Sequence, residues 1–194
     1  MKTLITLIIL ALAAFLISKG MNKPENSEVT SSTNPVAILQ TNQGDIEIEL
    51  FLKETSKTAE NFITLAERDF YNDTLFHRVI ADFMIQGGDP NTRAGDPRTF
   101  GTGGPGYSIP DEFVEGLSNV KGTISMANSG PNTGGSQFFI NVVDNTYLDG
   151  RHTVFGKVVK GFDIAYKISQ VPTTGDPQNL PLDPVRIDRV VIKK

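Results

Sequence analysis

Strict alternation of apolar and polar residues is clearest at Ile46, Ile48 and Leu50, which are separated by Glu47 and Glu49. A period of two predicts a strand with one buried face and one wet face. A short apolar run at 36–39 precedes it, and Asn42-Gln43-Gly44-Asp45 reads as the turn of a hairpin. The period then changes. Ala59, Phe62, Ile63 and Ala66 follow the i, i+3, i+4, i+7 spacing of an amphipathic helix, with Thr55 or Ser56 as its N-cap. Strand patterns return around Phe76 and Phe83, and again at 123–127, 137–142, 154–159 and 185–192. A second helix fits 162–168 and sets Ile164, Ala165 and Ile168 on one side. The expected fold is mainly β, a closed antiparallel barrel of about eight strands capped by two α-helices, because closure removes exposed strand edges.

Two stretches fall outside this patterning. Residues 87–111 form a long Gly/Pro-rich excursion, and a loop of that length inside a domain is usually functional. At the N-terminus, Lys2 precedes an apolar run at 4–17 that is broken only by Thr6 and closed by Ser18-Lys19-Gly20. A run of about 14 residues suits a signal-peptide core and falls short of the ~20 needed for a full span. Residues 1–20 are therefore expected to be a signal peptide or an N-terminal membrane anchor. The protein would then be extracytoplasmic (periplasmic, cell-surface or secreted), tethered through 4–18 if the segment is kept. Residues 21–34, rich in Asn, Ser, Thr, Glu, Pro and Lys, read as a flexible linker, and 35–194 as one folded domain.

Composition removes several functions. The net charge is −4 with no run of lysines or arginines, which argues against nucleic-acid binding. The absence of cysteine excludes disulfides, a thiolate nucleophile, cysteine-ligated metal and lipoprotein modification. With only two histidines, His77 and His152, no metal or other cofactor is expected. Gly101-Thr102-Gly103-Gly104-Pro105-Gly106 satisfies G-x-G-x-x-G by pattern, but no strand leads in and Tyr107-Ser108-Ile109-Pro110 cannot open a helix. Ser136, His77 and Asp89 could make a triad by residue type. Ser136 sits in Gly134-Gly135-Ser136-Gln137, however, which is not a nucleophile elbow and suits a turn hydrogen bond.

Candidate chemistry concentrates in three clusters. The first is Phe76-His77-Arg78-Val79-Ile80, followed by Phe83-Met84-Ile85-Gln86-Gly87-Gly88-Asp89. Alternation would send Phe76, Arg78 and Ile80 to one face and His77 and Val79 to the other. An arginine cannot act as a general base, but among apolar neighbours it is a strong, oriented donor. That suits chemistry without a nucleophile. The second cluster is the turn and aromatic strand of Met126-Ala127-Asn128-Ser129-Gly130-Pro131-Asn132-Thr133-Gly134-Gly135-Ser136-Gln137-Phe138-Phe139-Ile140. The third runs from Tyr147-Leu148-Asp149-Gly150-Arg151-His152 into the next strand.

Taken together, FHRVI, FMIQGGD, MANSGPNTGGSQFF and LDGRHTVFGKV closely resemble the cyclophilin family of peptidyl-prolyl cis-trans isomerases, from about Val36 to the C-terminus. The resemblance implies a barrel capped by two helices, with the active site in a surface groove. It implies Arg78 as the catalytic arginine and Phe83, Met84, Phe139 and Leu148 as the pocket for the substrate proline ring. Gln86, Asn128 and Gln137 would hold the peptide, with backbone groups of Ala127 and Asn128 also facing it. His77 and His152 would line the site, and Gly101 and Thr102 the loop beside it. Many members carry tryptophan where this chain has Tyr147, at the rim. Cyclosporin-type ligands are therefore expected to bind less tightly, because indole and phenol place their polar groups differently. The function so implied is isomerisation of X-Pro bonds in proline-containing polypeptides, in aid of folding exported proteins, by a monomer. The alternative is a chaperone or scaffold module that binds proline peptides without turnover.

Overall fold

A computed structural model describes residues 34–93 and 95–194. The leader expected at 1–20 and nearly all of the linker expected at 21–34 lie outside the described residues. Nine strands form one antiparallel sheet: β1 Val36–Thr41, β2 Gly44–Leu50, β3 Thr74–Leu75, β4 Arg78–Ile80, β5 Met84–Gly87, β6 Thr123–Met126, β7 Phe138–Asn141, β8 Val154–Lys160 and β9 Arg186–Lys193. Their order is β3-β9-β1-β2-β8-β6-β7-β5-β4. Two helices, α1 Ser56–Glu67 and α2 Phe162–Ser169, accompany it. The mainly β, two-helix architecture follows the sequence pattern.

The closed eight-stranded barrel does not. The sheet is an open, curled half-barrel, with β3 and β4 as its two edges. The reason lies in the chain between those edges. β3 has two residues and pairs with β9, whereas β4 has three and pairs with β5. Phe76 N–H still donates to the Val185 carbonyl at 2.9 Å, while His77 N–H donates to the Gln86 carbonyl at 3.0 Å. What would be one closing strand is thus divided between two partners at Phe76-His77, and neither half is long enough to build a continuous ladder. The same switch overturns the expected facing of this segment. Phe76 and Val79 both enter the core, so Phe76 does not share a face with Arg78 and Ile80.

Inside the curl, α1 supplies Phe62, which is fully buried and stacks on Tyr71 at 4.9 Å. It also meets the edge of Phe138 at 5.5 Å. Each such ring is worth roughly 1.5–3 kcal/mol of burial. From α2, Ala165 and Ile168 are buried, with Ile164 packed against the core.

The N-terminus of α1 is capped from a distance. Thr55 occupies the N-cap position, but its hydroxyl donates back to the Phe51 carbonyl. The free N–H groups of Lys57 and Thr58 instead donate to the Glu112 carboxylate at 3.2 and 2.7 Å, joined by the Thr58 hydroxyl at 2.7 Å. Glu112 is itself held by its own N–H, which donates to Thr153 Oγ1 at 2.9 Å. A carboxylate here also complements the positive end of the helix dipole. Glu112→Ala should therefore cost about 1 kcal/mol, the usual worth of a cap, and lower the melting temperature by about 3 °C for a domain of this size. Calorimetry of the two forms checks this, and an unchanged midpoint would contradict the capping role.

Candidate active site

Alternation along β4, β5, β7 and β6 sends Val79, Ile85, Phe138, Ile140, Ile124 and Met126 into the core. The opposite face therefore carries Arg78, Met84, Gln86, Phe139, Asn141 and Ser125. Strand register sets Arg78 beside Gln86, Gln86 beside Phe139 and Phe139 beside Ser125. Residues far apart in the chain thus form one row. Met84 and Phe139 are 1% and 4% exposed, yet both stand outside the main core cluster. They are the floor of an apolar patch on the outer face. Phe83 and Leu148 are half-buried beside them.

Further contacts hold the walls of this patch. The Phe83 ring stacks against Tyr147, centroids 6.2 Å apart, and Tyr147 is 63% exposed at the rim. His152 stands edge-on to Phe139 at 5.3 Å. Its Nδ1 lies 3.0 Å from the Met126 carbonyl, which can only accept, so Nδ1 is the donor of this bond. Leu148 and Tyr147 belong to a 3-10 turn, Thr146–Leu148. A polar network fixes that turn. Asn145 Nδ2 donates to the Phe83 carbonyl at 3.0 Å and to Asn141 Oδ1 at 2.8 Å. Ser125 Oγ donates to Asn119 Oδ1, and Asn119 Nδ2 donates to Asp149 Oδ1. Burial would raise the Asp149 carboxyl, but hydrogen bonds from Ser118 and Asn119 outweigh it and hold the group below its ordinary value.

Next to the patch is a line of polar groups. Arg78 Nη1 donates to Gln86 Oε1 at a long 3.4 Å, which leaves the guanidinium free to tighten on another acceptor. Gln86 Nε2 donates to Gln137 Oε1 at 2.9 Å, and Gln137 Nε2 to the Gly103 carbonyl at 2.9 Å. The amides of Gln86 and Gln137, with Gly101, Thr102, Ala127 and Asn128, line a groove of about 730 Å³ between the 101–108 and 127–137 segments. A smaller cleft of about 310 Å³ holds His77 and Arg78 and shares Gln86 and Gly101 with the first. The larger of the two is thus polar, and the apolar patch around Phe139 lies outside both. Asn128 Nδ2 is engaged with the Arg151 carbonyl at 2.7 Å, tying two turns together, and Ala127 N–H donates to the Gln137 carbonyl.

Several residues matter here in roles that their types did not indicate. Asp89 is wholly buried and accepts backbone N–H bonds from Asn91, Gly101 and Gly103, which pins the groove wall. Its place beside two glycines in the first motif was the only available signal. Asn119, Asn141 and Asn145 carried none. The triad geometry is absent: Ser136 Oγ donates to the Gly88 carbonyl at 2.8 Å, a long-range bond to the end of β5 and not the turn bond expected, and His77 bonds to neither Ser136 nor Asp89.

His77 is 5% exposed, and neither ring nitrogen has a hydrogen-bond partner. Burial pushes its imidazole below the ordinary value, opposed by the nearby Asp89 charge and by the Leu75 backbone and Gln137 side chain, which lie near the ring without well-formed hydrogen bonds to it. The sign of the consequence is fixed. Above the ordinary value of 6.5 the ring is neutral in both folded and unfolded chains. As pH falls through that value the unfolded chain binds a proton that the folded one does not, so stability drops until the folded ring also titrates. Urea unfolding between about pH 7 and pH 5 should show a steeper loss for the wild type than for His77→Gln. Equal slopes would mean that the ring titrates alike in both states.

Comparison with known proteins supplies the context. The family model described as cyclophilin type peptidyl-prolyl cis-trans isomerase/CLD matches residues 36–192. A peptidyl-prolyl cis-trans isomerase of Acinetobacter baylyi is 45% identical over 82% of this chain and 86% of that protein. Peptidyl-prolyl cis-trans isomerase 9 of Schizosaccharomyces pombe is 41% identical over 91% of this chain, which spans only 28% of that longer relative. Among solved structures, a cyclophilin type peptidyl-prolyl cis-trans isomerase of Cryptosporidium parvum, crystallised in the presence of the dipeptide Ala-Pro, superposes with a TM-score of 0.74. The two are 34% identical over 82% of this chain and 99% of that one.

Proposed function

We propose, for a chain that belongs to the cyclophilin-type peptidyl-prolyl cis-trans isomerases, that Arg78 is the catalytic group and the Phe139 patch the seat of the substrate proline. The activity itself is that of the family: the protein is a peptidyl-prolyl cis-trans isomerase. Amide rotation faces a barrier of ~18–20 kcal/mol because resonance gives the C–N bond partial double-bond character. At X-Pro bonds the two isomers differ little in energy but exchange over tens of seconds or longer. A catalyst must weaken resonance, with no covalent bond to make or break.

The site supplies the parts for that. Met84 and Phe139 as floor, with Phe83 and Leu148 as walls, hold a proline ring while the preceding carbonyl turns. Arg78 stands two strands from Phe139, across Gln86, on the same face. Its guanidinium donates to the prolyl nitrogen, whose lone pair becomes localised as the bond twists. Gln86 and Gln137, on the groove floor, align the peptide backbone. The observation that carries this reading is the row Arg78, Gln86, Phe139 across three adjacent strands, which sets a permanent cation beside an apolar seat. The neighbour crystallised with Ala-Pro supports a proline-containing peptide as occupant. The physiological role we propose is assistance to folding of exported proteins, supported by the apolar run at 4–17 in the sequence.

Loss of a fixed donor in a site of this kind costs about 10²–10³ in rate. Arg78→Ala should show that loss in kcat/KM in a proline-isomerisation assay, with an unchanged circular dichroism spectrum because Arg78 faces away from the core. Full activity in the variant would remove Arg78 from the catalytic role, and none in the wild type would leave only the binding-module reading. Export has its own test. Mass spectrometry of the protein isolated from its native cells should find either a mature N-terminus near Met21 or the intact chain in the membrane fraction. Intact chain in the cytosol would refute export.

A further inference from the structure

The polar line described above has a direction, and the direction has an origin. The Gly103 carbonyl can only accept, so Gln137 must turn its NH₂ toward it and its oxygen toward Gln86. Gln86 must then offer its own NH₂ to that oxygen, which leaves Gln86 Oε1 facing the guanidinium of Arg78. Each amide has one acceptor end and one donor end, so the orientation of the Gly103 peptide dictates what Arg78 meets. Were Gln137 released, both amides could turn over and present a donor to a donor. Gly103 is in turn held by Asp89 through its N–H, in the peptide unit that precedes this carbonyl. This carboxylate is fully buried, and its Oδ2 accepts from Gly101 N at 2.5 Å and Gly103 N at 3.3 Å. Its Oδ1 accepts from Asn91 N at 2.8 Å. The fit is close: a Cβ added at Gly103 would stand 2.1 Å from Asp89 Oδ1.

We propose that Asp89 is a positioning residue for isomerisation, acting through the Gly103 peptide and the side chains of Gln137 and Gln86 to hold an acceptor against the Arg78 guanidinium. The inference rests on the reading of Arg78 as the catalytic group. Asp89 touches no substrate. Its charge is spent on three backbone donors, and its effect reaches the reacting bond only as the angle of the arginine fork.

A double-mutant cycle tests this, because residues that act as one unit are not additive whereas independent structural damage is. Asp89→Asn puts an NH₂ against backbone N–H groups and should lower kcat about ten-fold with little change in KM, a misplacement effect. In an Arg78→Lys background, which keeps a cation but has no fork to orient, the same change should cost less than about two-fold. Should Asp89→Asn fail to fold, Gln137→Glu breaks the line in the middle while leaving the three bonds to Asp89 intact, and it should show the same dependence on background. An equal loss in both backgrounds would overturn the relay and leave the role of Arg78 standing. Full activity of Arg78→Lys would overturn both.

Discussion

Two backbone hydrogen bonds on neighbouring residues govern this molecule. Phe76 N–H points to the Val185 carbonyl beside β9, and His77 N–H points to the Gln86 carbonyl of β5. By changing partner between one residue and the next, the chain abandons strict alternation. It buries Phe76 and then Val79, and thereby turns Arg78 outward in register with Gln86. Had alternation continued from Phe76, the guanidinium would have been driven into a core of aromatic rings, where an unpaired charge is very costly. The break in the sheet and the placement of the catalytic candidate are one event.

The outer face of the sheet is organised differently from the inner one. Inside, the Phe62 ring of α1 interlocks with Tyr71 and Phe138, and the Tyr71 hydroxyl reaches the Ser136 carbonyl. Outside, buried asparagines do the holding. Asn119, Asn141 and Asn145 are each 3% exposed or less, and each has hydrogen-bond partners. Satisfied networks of this type restrain geometry more tightly than apolar packing, since any shift leaves a polar group bare. Such rigidity keeps Phe83, Leu148 and His152 in place around Phe139.

Much of this was legible in the sequence for a definite reason. Ile46, Ile48 and Leu50 alternate because their strand has one wet face, and Phe62 and Ala66 recur at helical spacing because α1 lies on the curl. The residues around Arg78, Phe139 and Leu148 were identifiable through the long motifs they share with a known family. What could not be read was anything that depends on two distant segments meeting. Glu112 caps α1 from more than fifty positions away, and Thr55, the local candidate, turns its hydroxyl elsewhere. Barrel closure failed as an expectation because β3 and β4 choose different partners, a decision made by Val185 and Gln86 and not by the segment itself. Asp89 was offered by its type only as a triad acid, and its carboxylate instead holds Gly101 and Gly103.

The wall of the larger groove is fastened at its two ends, by Asp89 at Gly101 and Gly103 and by Glu112 at the start of α1. Between these anchors Gly104 borders the groove with open space where a side chain would go, and its backbone is not in the left-handed region. Variation at that position is therefore uncoupled from the fold. On the reading proposed above, a charge, a ring or a hydroxyl at Gly104 would shift which polypeptides the groove favours while Arg78 and the Phe139 patch stay the same. The architecture separates what must be conserved for turnover from what is free to diversify for selectivity.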